Sequence, residues 1–156
     1  MTPAVQSLTR AGIPFRLLTY AAAPVGEGDV GMAAARSLGV AEASVFKTLV
    51  AELLSGELVV AVVPVAERLN LKRLARAAGA KSAGMAAPAK AERATGYVTG
   101  GISPFGQRRS LRTFLAKEAT ALETIHVSAG KRGLELALSP MDLIAATHAV
   151  TCDLTG

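Results

Sequence analysis

Only one cysteine, Cys152, occurs in the 156 residues, so no disulfide can form within the chain. Tryptophan is absent and aromatics make up 4% of the chain, too few for the paired aromatic surface on which an RNA-recognition sheet stacks bases. The longest strongly apolar run, residues 58–66, is about half the length of a membrane-spanning helix. The first residues, Met1-Thr2-Pro3-Ala4-Val5-Gln6, lack a basic region followed by an apolar core, so no signal peptide is expected. His126 and His148 have no cysteine or carboxylate at ligand spacing, and no metal or other cofactor is expected. Together these absences lead us to expect a cytoplasmic chain with no membrane partner. The usual hydrolytic motifs are missing too. Gly101-Ile102-Ser103-Pro104-Phe105 has no second glycine to form a nucleophile elbow. Gly130-Lys131-Arg132 lacks the upstream glycine and following hydroxyl of a phosphate loop, and Cys152 has no evident base near it in sequence.

What is present is the composition of a folded domain: 51% hydrophobic and 19% charged residues exclude disorder, and the length suits one domain spanning 1–156. The net charge of +5 is unevenly spread. Residues 68–132 hold thirteen Lys and Arg against three acids, whereas residues 1–67 hold four bases against six acids and residues 133–156 three acids and no base. The basic third is either an ordinary solvated surface or one that faces phosphate.

Thr2-Pro3 and Gly12 bracket a first helix. Residues 15–20 alternate as a strand, residues 21–31 read as a loop, and residues 32–38 form a short helix stopped by Gly39. Two strands, 45–54 and 58–65, surround the hairpin signal Ser55-Gly56, the second apolar on both faces and so fully buried. Asn70 caps a helix whose inner stripe is Leu71, Leu74, Ala75 and Ala78 and which Gly79 ends. Pro88 opens a short helix to residue 93. Strands are expected at 97–99, 113–115, 124–128 and 134–138, with a turn at 129–133, and Ser139-Pro140 starts a final helix to residue 146. Intermixed short strands and helices predict an α/β domain with a mixed curved sheet or barrel and surrounding helices.

The stretch Thr95-Gly96-Tyr97-Val98-Thr99-Gly100-Gly101-Ile102-Ser103-Pro104-Phe105-Gly106 reads as a pocket wall, because glycines let backbone approach a ligand and small hydroxyls offer hydrogen bonds. Gly100-Gly101-Ile102-Ser103 is either a bulge or a set of N–H groups gathered around an oxygen. Lys47 interrupts the apolar run Val45-Phe46-Lys47-Thr48-Leu49-Val50, either as an edge lysine reaching water or as a cation aimed into a pocket. Ser128 alone is a turn serine. Asp142, three residues after Ser139, makes a capping box with aspartate in place of glutamate.

In their order and spacing these segments resemble the YbaK family, which is related to the editing domain inserted in bacterial prolyl-tRNA synthetases. The matching residues are Thr2-Pro3-Ala4-Val5, Thr19-Tyr20, Val45-Phe46-Lys47-Thr48-Leu49, Ala61-Val62-Val63-Pro64-Val65, Leu71-Lys72, Gly79-Ala80-Lys81, Thr95-Gly96-Tyr97, Gly100-Gly101-Ile102-Ser103-Pro104 and Val127-Ser128-x-Gly130-Lys131-Arg132-Gly133-Leu134. The resemblance is to the Cys-tRNA(Pro) deacylase branch. It implies trans-editing hydrolysis of the ester of a mischarged aminoacyl-tRNA, with the substrate's own thiol as nucleophile and no cofactor. It implies that Lys47 holds the terminal nucleotide or polarises the carbonyl and that Gly100 and Gly101 line the ester. It further implies an aminoacyl pocket shaped by Tyr20, Val30, Thr48, Ile102, Ser103, Ser128 and Asp142. Lys72, Arg73, Arg108, Arg109, Lys131 and Arg132 would then meet the acceptor stem of tRNA(Pro), with prolyl-tRNA synthetase as a further partner. Lys47-Thr48 matches the Cys-specific branch, whereas Ala-specific relatives have Lys-Asn there and a histidine near the place of Ser128. Val30 stands where an aromatic is common. The alternatives are a deacylase for Ala- or Ser-charged tRNA and a non-catalytic module that binds tRNA or a synthetase.

Overall fold

In a computed structural model, residues 1–21 and 30–156 are described. Five helices and two sheets make up an α/β fold, as the mixed pattern predicts. Helix α1 (Pro3–Ala11) begins where Thr2 Oγ1 accepts the Val5 N–H at 3.3 Å, and ends at Gly12 in the left-handed region. It buries Ala4, Val5 and Leu8. Strand β1 (Arg16–Thr19) follows, then helix α2 (Val30–Leu38), which starts two residues earlier than its apolar spacing suggests. Most of the expected 21–31 loop lies outside the described residues.

Strands β2 (Phe46–Leu53) and β3 (Leu58–Pro64) form the expected antiparallel hairpin. Every residue of β3 is buried, as its unbroken apolar run requires. Helix α3 (Leu71–Ala78) is capped by Asn70, whose Oδ1 accepts the Arg73 N–H at 3.0 Å. Two three-residue strands escape the sequence pattern: β4 (Ala83–Met85), antiparallel to β2, and β8 (Val150–Cys152), parallel to β5 (Thr113–Ala116). The larger sheet therefore runs β4-β2-β3-β5-β8. Strands β6 (Ile125–Ser128) and β7 (Leu134–Leu138) pair antiparallel, and β7 also pairs with β1, giving the smaller sheet β1-β7-β6. The sheets meet at one isolated parallel bridge, Val45 to His126.

Helix α4 (Pro88–Thr95) runs two residues past the expected end, and the strand expected at 97–99 is not formed. Its backbone donors are used locally. Gly96 caps α4, Thr95 Oγ1 accepts the Tyr97 N–H at 3.2 Å, and the Glu92 carboxylate accepts the Thr99 N–H at 2.9 Å. Gly101 then closes a turn on the Val98 carbonyl. Buried Tyr97 donates its hydroxyl to the Phe105 carbonyl and so folds the stretch back on itself. Helix α5 (Pro140–Thr147) starts from the Ser139 cap. Among the described residues no helix is long and apolar enough to cross a membrane.

Candidate functional site

Along the outer edge of β2 the two sheets part. Strand β4 follows that edge as far as Val50, whose carbonyl accepts the Ala86 N–H at 3.0 Å, while β6 touches it at Val45. Between these attachments lies a cavity of about 490 Å³. Its walls include residues 46–50 of β2, the start of α4 at Pro88 and Ala91, and the α2 residues Gly31 and Ala34. The glycine-rich stretch closes it with Thr99, Gly100 and Ile102, and the smaller sheet side adds Tyr20, Ser128 and Glu135.

Six of the residues expected at the site line this cavity: Tyr20, Lys47, Thr48, Gly100, Ile102 and Ser128. Lys47 Nζ makes one long bond, 3.4 Å, to the Val65 carbonyl. The Thr48 hydroxyl is buried and has no hydrogen-bond partner among the described residues. Ser128 Oγ accepts the Gly130 N–H at 3.0 Å, which ties the hydroxyl to its own turn. Gly101 and Ser103 sit behind the lining. A Cβ on Gly101 would meet the Arg132 amide nitrogen and Lys131 Cα at 3.2 Å, and fully buried Ser103 accepts the Phe105 N–H at 3.4 Å through its hydroxyl. Asp142 does not line the cavity: it lies in the first turn of α5, where its N–H donates to Ser139 Oγ. The side chain of Val30 lies outside the described residues, as do residues 22–29.

Glu135 is the residue that sequence reasoning missed. It is 4% exposed, stands opposite Ser128 on β7, and has its carboxyl pushed up to about 8 by burial. Burial likewise raises the Tyr20 phenol, and the nearby Glu135 pushes it in the same direction. A charged residue inside the apolar run Leu134-Glu135-Leu136 is the same signal that singled out Lys47. Among the described residues no three His, Cys, Asp or Glu side chains gather in one place.

The basic residues divide. Lys72, Arg108, Arg109 and Lys131 are exposed. Arg73 instead pairs with Asp153 at 2.8 Å and donates to the Thr155 carbonyl, holding the C-terminal segment on α3. Arg132 lies against Gly100, and its buried Nε has no hydrogen-bond partner among the described residues.

Residues 30–146 match the sequence pattern of the aminoacyl-tRNA editing domain. The chain belongs to the aminoacyl-tRNA editing domain family. It is thus an aminoacyl-tRNA deacylase. Among curated proteins it is 40% identical over 121 residues to EbsC of Enterococcus faecalis, a protein named for deacylation of Cys-tRNA(Pro) and Cys-tRNA(Cys). That match spans 78% of this chain and 74% of EbsC. In fold, the editing domain superposes on the protein APE2540 with a TM-score of 0.87 at 24% identity, covering 99% of this chain and all of the other. It superposes on a protein described as a trans-editing enzyme for prolyl-tRNA synthetase with a TM-score of 0.85 at 21% identity, covering 100% of this chain and 99% of the other.

Proposed function

We propose that this editing domain, a single unit spanning residues 1–156 and acting in the cytoplasm, removes cysteine from mischarged Cys-tRNA(Pro), with the substrate's thiol as the nucleophile. The observation that carries the reading is the buried hydroxyl of Thr48 in the cavity wall, which has no hydrogen-bond partner among the described residues. A buried hydroxyl without a partner costs about 1–3 kcal/mol, and a small polar group on the substrate offsets that cost. Among the described residues the lining offers no nucleophile with a base beside it, since Ser128 is held by its own turn and none of those lining residues is a histidine. A substrate that brings its own nucleophile needs only to be held in reactive geometry.

In the step we propose, the thiol sulfur attacks the ester carbonyl carbon and the bond from that carbon to the ribose oxygen breaks. The thiol proton passes to the departing ribose oxygen. The cysteine leaves as a four-membered thiolactone, which water opens to the free amino acid. Lys47 and the Gly100 main chain supply positive charge to the developing oxyanion. The Glu135 carboxyl receives the α-ammonium, whose charge favours its ionised form. Lys72, Arg108, Arg109, Lys131 and Arg132 meet the acceptor stem, with Arg73 committed to the C-terminal segment. Gly101 and Ser103 shape the loop from behind, and Val30 stays part of the proposed aminoacyl pocket. Such a pocket reads the amino acid and not the tRNA, so selection of tRNA(Pro) falls to a partner, prolyl-tRNA synthetase.

The test follows loss of the aminoacyl ester from Cys-tRNA(Pro), Ala-tRNA(Pro), Ser-tRNA(Pro) and 2-aminobutyryl-tRNA(Pro) in parallel. Rapid loss from the cysteinyl species alone is expected. Equal loss from the 2-aminobutyryl species, which keeps the shape and lacks the thiol, would remove the thiol mechanism. Preference for alanine or serine would move the specificity to those amino acids, and no turnover of any species would leave tRNA binding as the role.

A further inference from the structure

All five consecutive residues of β2 from 46 to 50 line the cavity. Side chains alternate across a strand, so contact with one face would bring in every second residue only. The cavity therefore abuts the edge of β2, and the question is which main-chain groups that edge presents.

The ladder answers it. Leu53 donates its N–H to Glu57, and Val65 donates to Val45, each directly opposite the other in the β2–β3 register. In an antiparallel pair the exchanging residues alternate with non-exchanging ones. Positions 45, 47, 49, 51 and 53 thus bond to β3, and the N–H and C=O of 46, 48, 50 and 52 point to the other edge. The Val50 carbonyl is taken by Ala86. Continued by two residues, the same register would set Pro88 opposite Thr48, but Pro88 has no N–H and already begins α4. On the other side, β6 meets the edge at Val45. Among the described residues no ladder or bridge pairs Thr48 on that edge.

We infer that the aminoacyl group binds as a one-residue β-strand across from Thr48, its α-ammonium donating to the Thr48 carbonyl and its ester carbonyl accepting the Thr48 N–H. This rests on the deacylase reading above. An α-aminoacyl ester carries the same N–Cα–C=O unit as a strand residue, and the free edge is one residue long. The two bonds are those of an exchanging antiparallel pair. Directly opposed residues in such a pair extend their side chains on the same face. The cysteine side chain of an L-aminoacyl group therefore lies beside the Thr48 side chain, whose hydroxyl lacks a partner among the described residues. A D-residue turns its side chain to the opposite face. The Thr48 N–H, fixed by the sheet, is also a main-chain donor to the oxyanion that forms on the ester carbonyl.

The experiment is a titration of the isotopically labelled protein with stable adenosine analogues in which an amide replaces the ester: L-cysteinyl, D-cysteinyl and 3-mercaptopropionyl. The third lacks only the α-amino group. With the L-cysteinyl analogue the Thr48 amide proton is expected to shift downfield and exchange more slowly with solvent. The other two are expected to bind at least about tenfold more weakly, the loss of one charge-assisted hydrogen bond or more. Replacing the Lys47–Thr48 peptide N–H by an ester oxygen is expected to lower kcat for Cys-tRNA(Pro) about 10²-fold, as for loss of one oxyanion donor. Binding of the L-cysteinyl analogue with the Thr48 amide unmoved would overturn this inference and leave the deacylase reading intact. No binding of any analogue together with no hydrolysis of Cys-tRNA(Pro) would overturn both.

Discussion

At the scale of single residues, the cavity is lined by two ionisable side chains, Lys47 and Glu135, placed where the pattern calls for apolar ones. Lys47 packs little: it is half-buried, and its ammonium makes one long bond to a carbonyl. Lys47→Ala is therefore expected to lower kcat/KM for Cys-tRNA(Pro) about 10²-fold, the cost of one group stabilising the oxyanion. Its Tm should move by no more than about 3 °C, equivalent to about 1 kcal/mol, as thermal unfolding beside single-turnover kinetics will show. Glu135 has the opposite balance. Its pKa rises from 4.5 to about 8 because burial disfavours the carboxylate, so the fold prefers the proton. The stability tied to that proton is fully present below pH 4.5 and is lost as pH rises through about 8. Glu135→Gln keeps the neutral shape at every pH. It is expected to match the wild type in Tm at acid pH and to exceed it at about pH 9. The gap there is worth up to a few kcal/mol, since a tenfold change in proton affinity between the folded and unfolded chain is worth about 1.4 kcal/mol. The same variant should raise KM for the charged substrate, since the α-ammonium loses its carboxylate; a Tm gap that does not change with pH would refute the assignment.

At the scale of elements, glycine marks two different demands. Gly100 has φ +91°, and a Cβ there would meet the Arg132 guanidinium at 3.0 Å, an atom at the far end of a flexible side chain. Gly130 has φ +104°, and a Cβ there would meet the ring of buried Tyr97 at 2.5 Å. Both alanine variants strain the backbone by about 1–2 kcal/mol. Only Gly130→Ala must also displace the ring that folds the glycine-rich stretch. Gly130→Ala is expected to lower Tm by several degrees more than Gly100→Ala, whereas Gly100→Ala should lose more activity per degree of Tm lost. Calorimetry on both, with rates measured well below either transition, tests the contrast. The elements that were legible in sequence are those with local signals: the Thr2 and Asn70 caps, the β2–β3 hairpin and the wholly buried β3. The short strands β4 and β8 were not, because three residues leave no period to read and their places are set by distant partners, Ala51–Leu53 and Phe114–Ala116. The site divides in the same way. Lys47 and Gly100 stood out within their own segments, whereas Thr48 entered only through the family resemblance. The cavity itself exists because β4 and β6 reach β2 from segments far along the chain, and that meeting brings Met85, Ala86 and Glu135 to its wall. The strand expected at 97–99 failed for a related reason: side chains of Glu92 and Thr95 take up the backbone donors that a ladder would need.

For the molecule as a whole, the two sheets share an apolar core and are bridged at Val45 and His126. His126 is 6% exposed, and its Nδ1 stands 3.1 Å from Ser44 Oγ and 3.3 Å from the Ser44 carbonyl. The Ser44 hydroxyl donates to the Ala41 carbonyl at 2.7 Å, so both groups facing Nδ1 are acceptors and the ring proton belongs on Nδ1. Burial, with a smaller effect of nearby Arg16, holds the histidine below its usual 6.5. The unfolded chain thus takes up the second proton first. The stability from neutral His126 is present above pH 6.5 and is lost as pH falls through the lower folded value. Glu135 works in the other direction over part of this range, so the two must be separated. In a Glu135→Gln background, Tm is expected to fall between about pH 7 and pH 5 when His126 is present. His126→Asn keeps an N–H donor for Ser44 and cannot titrate, so its profile should be flatter over that interval. The accompanying observable is local: as the pH drops, protection from amide exchange at Phe46 and Val127, taken relative to the intrinsic rate at each pH, should fall before protection in the buried β3 does. Parallel pH profiles with and without His126 would show that the joint between the sheets does not titrate, and that their union rests on the shared apolar core of Phe46, Val50, Ile125, Val127, Leu136 and Leu138.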